Sequence, residues 1–240
     1  MSLTAGLSII VPVYNSEHSL EQLTGRIAQV MPELAGNDFE LLLVNDGSRD
    51  KSWQVVQRLS QAYPWVRGIN LMRNYGQHNA LLCGIRAARY DKVVTIDDDL
   101  QHPPEEIHKL LEELDKGYDV VYGTPLSKQH GLWRNLASYI LRLALQSTMG
   151  VENARKVSAF RAMRTQLRNA FASYQSPHVT LDALLTWGTT RFGAAPTRHD
   201  PRQVGKSTYT FGKLVLQGIS MITHFTILPL QFASWMGFTF

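Results

Sequence analysis

Val93-Val94-Thr95-Ile96-Asp97-Asp98-Asp99-Leu100-Gln101-His102-Pro103-Pro104-Glu105-Glu106 decides how the rest of the chain is read. Four β-prone residues run into three consecutive carboxylates, and a proline pair then opens a helix with two glutamates in its first turn. A buried parallel strand that ends this way delivers carboxylates to the carboxyl edge of its sheet, where open α/β folds bind ligands. In an extended segment residues i and i+2 share a side, so Asp97 and Asp99 are expected to point together and Asp98 elsewhere. Two carboxylates held close repel unless a cation lies between them. Hard oxygen ligands with an open side suit Mg²⁺ or Mn²⁺, shared with the phosphates of a substrate. A solvated acidic loop that only caps the next helix is the competing reading, and the strand before and helix after weigh against it.

On either side, strand and helix signals alternate. Residues 7–15 read as a buried strand stopped by Pro12, which cannot donate to a ladder. A helix is expected over 19–34 with Leu20, Leu23, Ile27 and Val30 on one face. Residues 39–44 form a second strand running into Asn45-Asp46-Gly47-Ser48-Arg49-Asp50, with Asp50 placed to N-cap a helix over 51–62. A third strand over 66–72 leads to Arg73-Asn74-Tyr75-Gly76-Gln77-His78-Asn79 and a helix to about Arg89. The fourth strand covers 92–96, a helix comes next over 104–116, and then a fifth strand over 119–122. This alternation means β-α-β units and a mostly parallel α/β sheet flanked by helices, with the post-strand loops on one edge. Small, amide and acidic residues in those loops suit a base and ribose beside a metal-bound diphosphate. No glycine-rich dinucleotide loop or Walker loop is present, which argues against nicotinamide redox and P-loop hydrolysis.

At 240 residues and 44% hydrophobic content, the chain suits one large domain, or one with an appendage, and can bury a core. A formal charge of +4 makes no electrostatic case for nucleic acid, and none is expected as a partner. The single cysteine, Cys83, excludes an intrachain disulfide, fits a reducing compartment, and reads as a small buried apolar residue. The residues before Leu7 lack a signal-peptide pattern, so the chemistry is expected in the cytoplasm.

Val11-Pro12-Val13-Tyr14-Asn15, Asn45-Asp46-Gly47-Ser48-Arg49-Asp50-Lys51-Ser52, Arg73-Asn74-Tyr75-Gly76-Gln77-His78 and Asp97-Asp98-Asp99-Leu100-Gln101-His102-Pro103-Pro104-Glu105 together resemble the motif series of glycosyltransferase family 2, which has the GT-A fold. The Leu-Gln-His-Pro-Pro-Glu tail and Arg202-Gln203-Val204-Gly205-Lys206-Ser207-Thr208-Tyr209 are similar to its polyprenyl-phosphate sugar transferases. The likeness runs from about Leu7 to the C-terminus. It implies metal ligation by Asp97, Asp99 and Gln101, and a nucleotide-sugar pocket from Pro12, Tyr14, Asn15, Asp46, Asn74, Gly76 and Asp98, the last replacing a residue that is often alanine. Relatives carry Glu directly after the Tyr-Asn pair; here Ser16 stands there and Glu17 comes after it, so Glu17 joins the pocket residues. Relatives also carry Arg after the strand near Gly123, where this chain has Pro125-Leu126-Ser127-Lys128, making Lys128 the substitute for holding an acceptor phosphate. Arg134, Arg161, Arg202, Lys206 and Ser207 complete that acceptor set, with Arg202 and Lys206 also assigned to catalysis beside Asp97 and Asp99. A structural salt bridge is the equal alternative for Arg161. Asp182 matches an acceptor-side position, whereas the adjacent pair His199-Asp200 is not read as a dyad.

Residues 132–148 read as a helix with Trp133, Leu136, Ile140, Leu141 and Leu145 in a stripe, either core-packed or lying on a membrane surface. From Leu214 to Phe240 there is no Lys, Arg, Asp or Glu, and Pro229 divides the segment. Neither half supplies the roughly 20 apolar residues of a spanning helix. Residues 214–228 read as an interfacial helix with Lys206 and Lys213 at its cytoplasmic edge, and 235–240 as the first turns of a spanning helix that continues beyond this sequence. The expected division is a catalytic domain over 1–212 and a juxtamembrane segment over 213–240.

What the resemblance implies is inverting sugar transfer from a nucleotide-diphosphate sugar, UDP favoured over GDP, to a polyprenyl (undecaprenyl) phosphate. The place would be the cytoplasmic face of a bacterial plasma membrane, the cofactor Mg²⁺ or Mn²⁺, and the assembly a homo-oligomer. The alternatives are a family 2 transferase acting on a polysaccharide or other hydroxyl acceptor, and a catalytically silent membrane-associated scaffold.

Overall fold

Strand β2 (Phe39–Asn45) is buried at every residue, and β1 (Thr4–Val13) is buried from Leu7 onward. Near-continuous apolar runs of this kind belong to central parallel strands covered on both faces. The computed structural model describes residues 3–125, 157–177 and 179–200. Within them β1 and β2 are joined by α1 (Leu20–Ala35), α2 (Ser52–Ala62) leads to β3 (Val66–Asn70), and α3 (Gln77–Ala87) leads to β4 (Tyr90–Thr95). A 3₁₀ turn (Pro104–Glu106) opens α4 (Ile107–Asp115), which leads to β5 (Val120–Pro125). Further along come β6 (Arg161–Arg164), a 3₁₀ segment (Thr165–Phe171), α5 (Leu181–Gly188) and β7 (Phe192–Thr197).

These strands make one seven-stranded sheet in the order β3-β2-β1-β4-β6-β5-β7. All described neighbours pair in parallel except β6, which runs antiparallel to both β4 and β5. Ala162 lies opposite both Val94 and Val121, and Arg161 opposite both Thr95 and Tyr122. Reversal of β6 therefore puts its first residue, Arg161, at the edge where the parallel strands end.

Leu20, Leu23, Ile27 and Met31 of α1 are fully buried on one face, each contributing roughly 1.5–3 kcal/mol by leaving water. Val30, expected on that face, packs against the core partly buried. On α3, Gly84 allows close approach to β1, since a Cβ there would stand 2.4 Å from Ile10 Cγ2. The polar interruptions of the central strands satisfy one another. Glu40 accepts from Ser8 Oγ at 2.8 Å, Arg67 Nη1 at 2.5 Å and Arg89 N–H at 2.8 Å, as buried polar groups must.

Pro12 does not stop β1 as expected; the strand continues to Val13, paired with β2. The ladder with β4 ends at Ile10 and Thr95, with Ile96 N–H donating to Ile10 O. Pro12, two residues further along that same side, meets no described strand there, so its missing N–H costs no ladder bond. The helix expected over 132–148 and the segment 213–240 lie outside the described residues. No helix among the described residues is long and apolar enough to cross a membrane.

Candidate active site

The loops after β1, β2, β3 and β4 meet at the carboxyl edge, and hydrogen bonds lace them together. Asn15 sits in the left-handed region at φ 55°, a conformation Asn tolerates better than most residues. Its N–H donates to Ser48 Oγ at 3.0 Å, and its Oδ1 accepts from Arg49 N–H at 2.8 Å. Ser16 N–H donates to Ser52 Oγ at 2.8 Å. Asp50 accepts from Ser52 N–H at 3.0 Å and from Glu17 N–H at 3.2 Å, so it joins the two loops as well as serving the start of α2.

Asp46 is buried, and its two oxygens accept the N–H groups of Tyr75 (2.7 Å) and Gly76 (2.9 Å). Burial raises its pKa above the usual carboxylate value, and those two donors pull against the rise. Gly47, at φ +65°, passes so close to the next loop that a Cβ would fall 2.5 Å from Asn74 N. Arg73 lies over the Tyr75 ring at 4.6 Å, and Tyr14 and Tyr75 are both partly exposed on this edge.

The aspartates are not in an extended segment. β4 ends at Thr95, and residues 98 and 99 turn, with Leu100 buried at φ +62°. Strand alternation therefore does not set the directions of Asp97 and Asp99, and each carboxylate of this turn accepts a hydrogen bond. Asp97 Oδ1 accepts from Gln77 Nε2 at 2.7 Å. Asp98 Oδ2 accepts from Ser16 Oγ and from Tyr14 N–H, tying the turn to the β1 loop. Asp99 Oδ1 accepts from Gln101 N–H at 3.1 Å. Burial pushes Asp98 up to about 6, opposed by Ser16 and Tyr14 and reinforced by the charge of Asp99.

Ion pairs and ring contacts clamp the segment after the turn. Arg26 of α1 grips Glu105 through two bonds of 3.0 and 2.6 Å. Glu106 is buried and takes Lys109 Nζ at 2.6 Å and Arg198 Nε at 3.0 Å. Gln101 O accepts from Asp200 N–H at 2.8 Å, and His199 meets the ring of His102 edge-on at 4.8 Å. His102 itself is buried against Phe160, and burial, with His199 beside it, lowers its pKa to about 4.

Pro12, near the end of β1, and Tyr14, Asn15, Asp46, Asn74, Gly76, Asp97, Asp98, Asp99 and Gln101, on the neighbouring loops, thus sit at one edge. The Glu17 carboxylate, on the same β1 loop, accepts Lys51 N–H at 2.8 Å at the start of α2. Arg161, expected either to hold a phosphate or to form a structural salt bridge, is 2% exposed and ion-paired to Asp182, whose Oδ1 takes the Tyr122 hydroxyl at 2.9 Å as well. Lys128, Arg134, Arg202, Lys206 and Ser207 lie outside the described residues. Gln77 and Ser16, which hold Asp97 and Asp98, had no role assigned from sequence; Gln77 stood within a quoted motif, but only its contact reveals the role.

No three His, Cys, Asp or Glu side chains among the described residues group into a complete metal cage. Two carboxylates on one turn are instead the hard, incomplete oxygen set that takes Mg²⁺ or Mn²⁺ together with substrate phosphates, so the residues present fit such an ion.

Residues 8–174 match the sequence profile of Glycosyl transferase family 2. The chain is 34% identical over 232 residues to the undecaprenyl-phosphate 4-deoxy-4-formamido-L-arabinose transferase of Enterobacter sp. (strain 638), covering 96% of this chain and 71% of that protein. Its fold is similar to glucosyl-3-phosphoglycerate synthase of Mycobacterium tuberculosis, solved with Mn²⁺, UDP and glucosyl-3-phosphoglycerate (TM-score 0.66, 18% identity, 92% of this chain and 80% of that one). It is also similar to an S. aureus TarS fragment in complex with UDP-GlcNAc (TM-score 0.60, 18% identity, 91% of this chain and 67% of that one). These likenesses identify the fold as GT-A.

Proposed function

The chain belongs to glycosyl transferase family 2, and from that premise we propose that it transfers a sugar from a nucleotide-diphosphate sugar to a polyprenyl phosphate of the undecaprenyl type. The observation that carries this reading is the junction of Asp46, Gln77 and Asp97: a nucleotide-side loop and a carboxylate turn are hydrogen-bonded into one surface. The relative named for undecaprenyl phosphate supports the acceptor, and the solved neighbours with UDP support a uridine donor.

Tyr14, Asn15, Asp46, Asn74 and Gly76 line the donor side. Asp97 and Asp99, with Gln101, would hold Mg²⁺ or Mn²⁺, which when bound offsets the charge of the diphosphate as it departs. The acceptor oxygen forms the new bond at the anomeric carbon while the bond to the nucleoside diphosphate breaks, with inversion. A phosphate monoester has its second pKa at about 6 and is ionised near neutral pH, so no general base is required. That agrees with Asp182, a buried carboxylate locked to Arg161 and Tyr122. The task left to side chains is holding two anions together, assigned to Arg202 and Lys206 with Lys128, Arg134 and Ser207. Residues 213–240 would lie at the membrane surface on its cytoplasmic face, and the active form would be a homo-oligomer.

The test is transfer of radiolabelled sugar from a panel of UDP- and GDP-sugars to undecaprenyl phosphate, with Mg²⁺, Mn²⁺ or EDTA. Metal-dependent label in the lipid phase is expected and should disappear in Asp99→Asn. Donor binding without lipid labelling would move the acceptor to a hydroxyl, and absence of donor binding would favour a silent scaffold.

A further inference from the structure

We infer that Gln77 is a positioning residue, whose side-chain amide sets the orientation from which Asp97 takes a divalent cation. This rests on the reading of Asp97 and Asp99 as the cation's carboxylates. The contact is direct, Gln77 Nε2 donating to Asp97 Oδ1 at 2.7 Å. A carboxylate turns about a broad sp³–sp² torsion, so a strong donor at one oxygen selects one orientation.

The base from which Gln77 reaches is itself fixed. It is the first residue of α3, entered through Gly76 at φ 93°, whose N–H is held by Asp46 at 2.9 Å. The next residue, His78, accepts Leu181 N–H at its Nδ1 (3.4 Å), and Gly84 seats the same helix against Ile10 of β1. Ligand groups are held well when their supports stand on rigid elements.

The choice of amide matters chemically. A Lys or Arg at this position would hold Asp97 equally well but would neutralise the charge that a cation needs and compete with it for the carboxylate. A neutral amide orients the carboxylate and leaves its charge in place. The same turn carries the Tyr75 and Gly76 N–H groups bound to Asp46, so one continuous run, Asp46 to Gly76 to Gln77 to Asp97, ties the donor pocket to the carboxylate turn.

Donors to metal ligands of this kind are worth about 10- to 100-fold in metal affinity. The experiment is titration of the 240-residue chain with Mn²⁺ at fixed UDP, monitoring unbound Mn²⁺ by electron paramagnetic resonance. It compares wild type with Asp97→Asn, Gln77→Met and Gln77→Ala, beside calorimetric UDP binding without metal. Gln77→Met and Gln77→Ala should each bind Mn²⁺ about tenfold or more weakly, with folding and metal-free UDP binding retained. Mn²⁺ affinity within twofold of wild type in either folded variant would overturn the inference. So would a parallel loss of metal-free UDP binding, or unfolding of both variants, because Gln77 would then be holding the pocket or the fold. If wild type binds no Mn²⁺, or Asp97→Asn binds it unchanged, the metal reading itself fails, a result distinct from the others.

Discussion

Asp182→Ala probes whether Arg161 belongs to the fold or to an acceptor site. The side chains of Arg161 and Asp182 are 3% and 6% exposed, and the pair is direct. Asp182 Oδ1 also takes the Tyr122 hydroxyl at 2.9 Å, while Arg161 Nε has no partner in its buried position. Burial, and then the charge of Asp182, hold the Tyr122 phenol well above its ordinary pKa, so it remains a donor. Removing the carboxylate strands a buried guanidinium, about 3–5 kcal/mol, and leaves a buried hydroxyl unpaired, about 1–3 kcal/mol. The two losses share one site and do not add fully, so a total of about 4–6 kcal/mol is expected. For a chain of this size each kcal/mol moves the thermal midpoint by roughly 2–4 °C, giving a fall of about 8–24 °C. Replacing both partners by apolar residues, Arg161→Met with Asp182→Leu, removes the stranded charge and should recover most of the loss. Urea unfolding of the single and double variants would measure this as a coupling energy of at least about 2 kcal/mol. A cost below about 1 kcal/mol for Asp182→Ala, or no recovery in the double variant, would refute the reasoning. In the double variant, an unchanged KM for the lipid acceptor is expected; a large rise would return Arg161 to the acceptor site.

Gly47→Ala places a side chain at φ +65° with its Cβ 2.5 Å from Asn74 N, and the 73–76 loop must move. UDP binding by calorimetry should weaken about tenfold or more, since small displacements of binding groups cost this much. Burial works against the Asp119 carboxylate, but Arg191 at 2.9 and 2.8 Å, Thr189 and Arg164 together hold its pKa below the ordinary value. A depressed carboxylate stabilises the fold above its unfolded pKa of about 3.9, and that contribution is lost as pH falls through the lower folded value. Thermal midpoints should therefore show Asp119→Asn destabilised near about pH 7 and converging with wild type as pH falls below about 4.

Much of the site was legible because strand ends advertise themselves. Apolar runs such as residues 39–44 stop at polar residues, and helix periodicity between them implies a parallel sheet, which collects those polar residues on one edge. Side-chain directions were less legible. Alternation along a strand paired Asp97 with Asp99, but β4 stops at Thr95 and the left-handed Leu100 closes a turn that no apolar pattern announces. Glu17 joined the pocket residues by its place after the Tyr-Asn pair, and its bond to Lys51 N–H at the start of α2 is a contact that no sequence pattern announces.

The sequence by itself determined the family motifs, the α/β alternation and the residue types at each strand end. All of these are local, carried by periodicities of two and about 3.6 residues and by turn chemistry. Only the tertiary structure decided which side chains meet. β6 enters between β4 and β5, with Ala162 opposite Val94, Ser16 reaches Asp98, and Arg161 finds Asp182. Those pairings join residues tens of positions apart, and no periodicity extends that far. They are selected by burial, which admits a charge to the interior only where a partner from elsewhere in the chain is waiting.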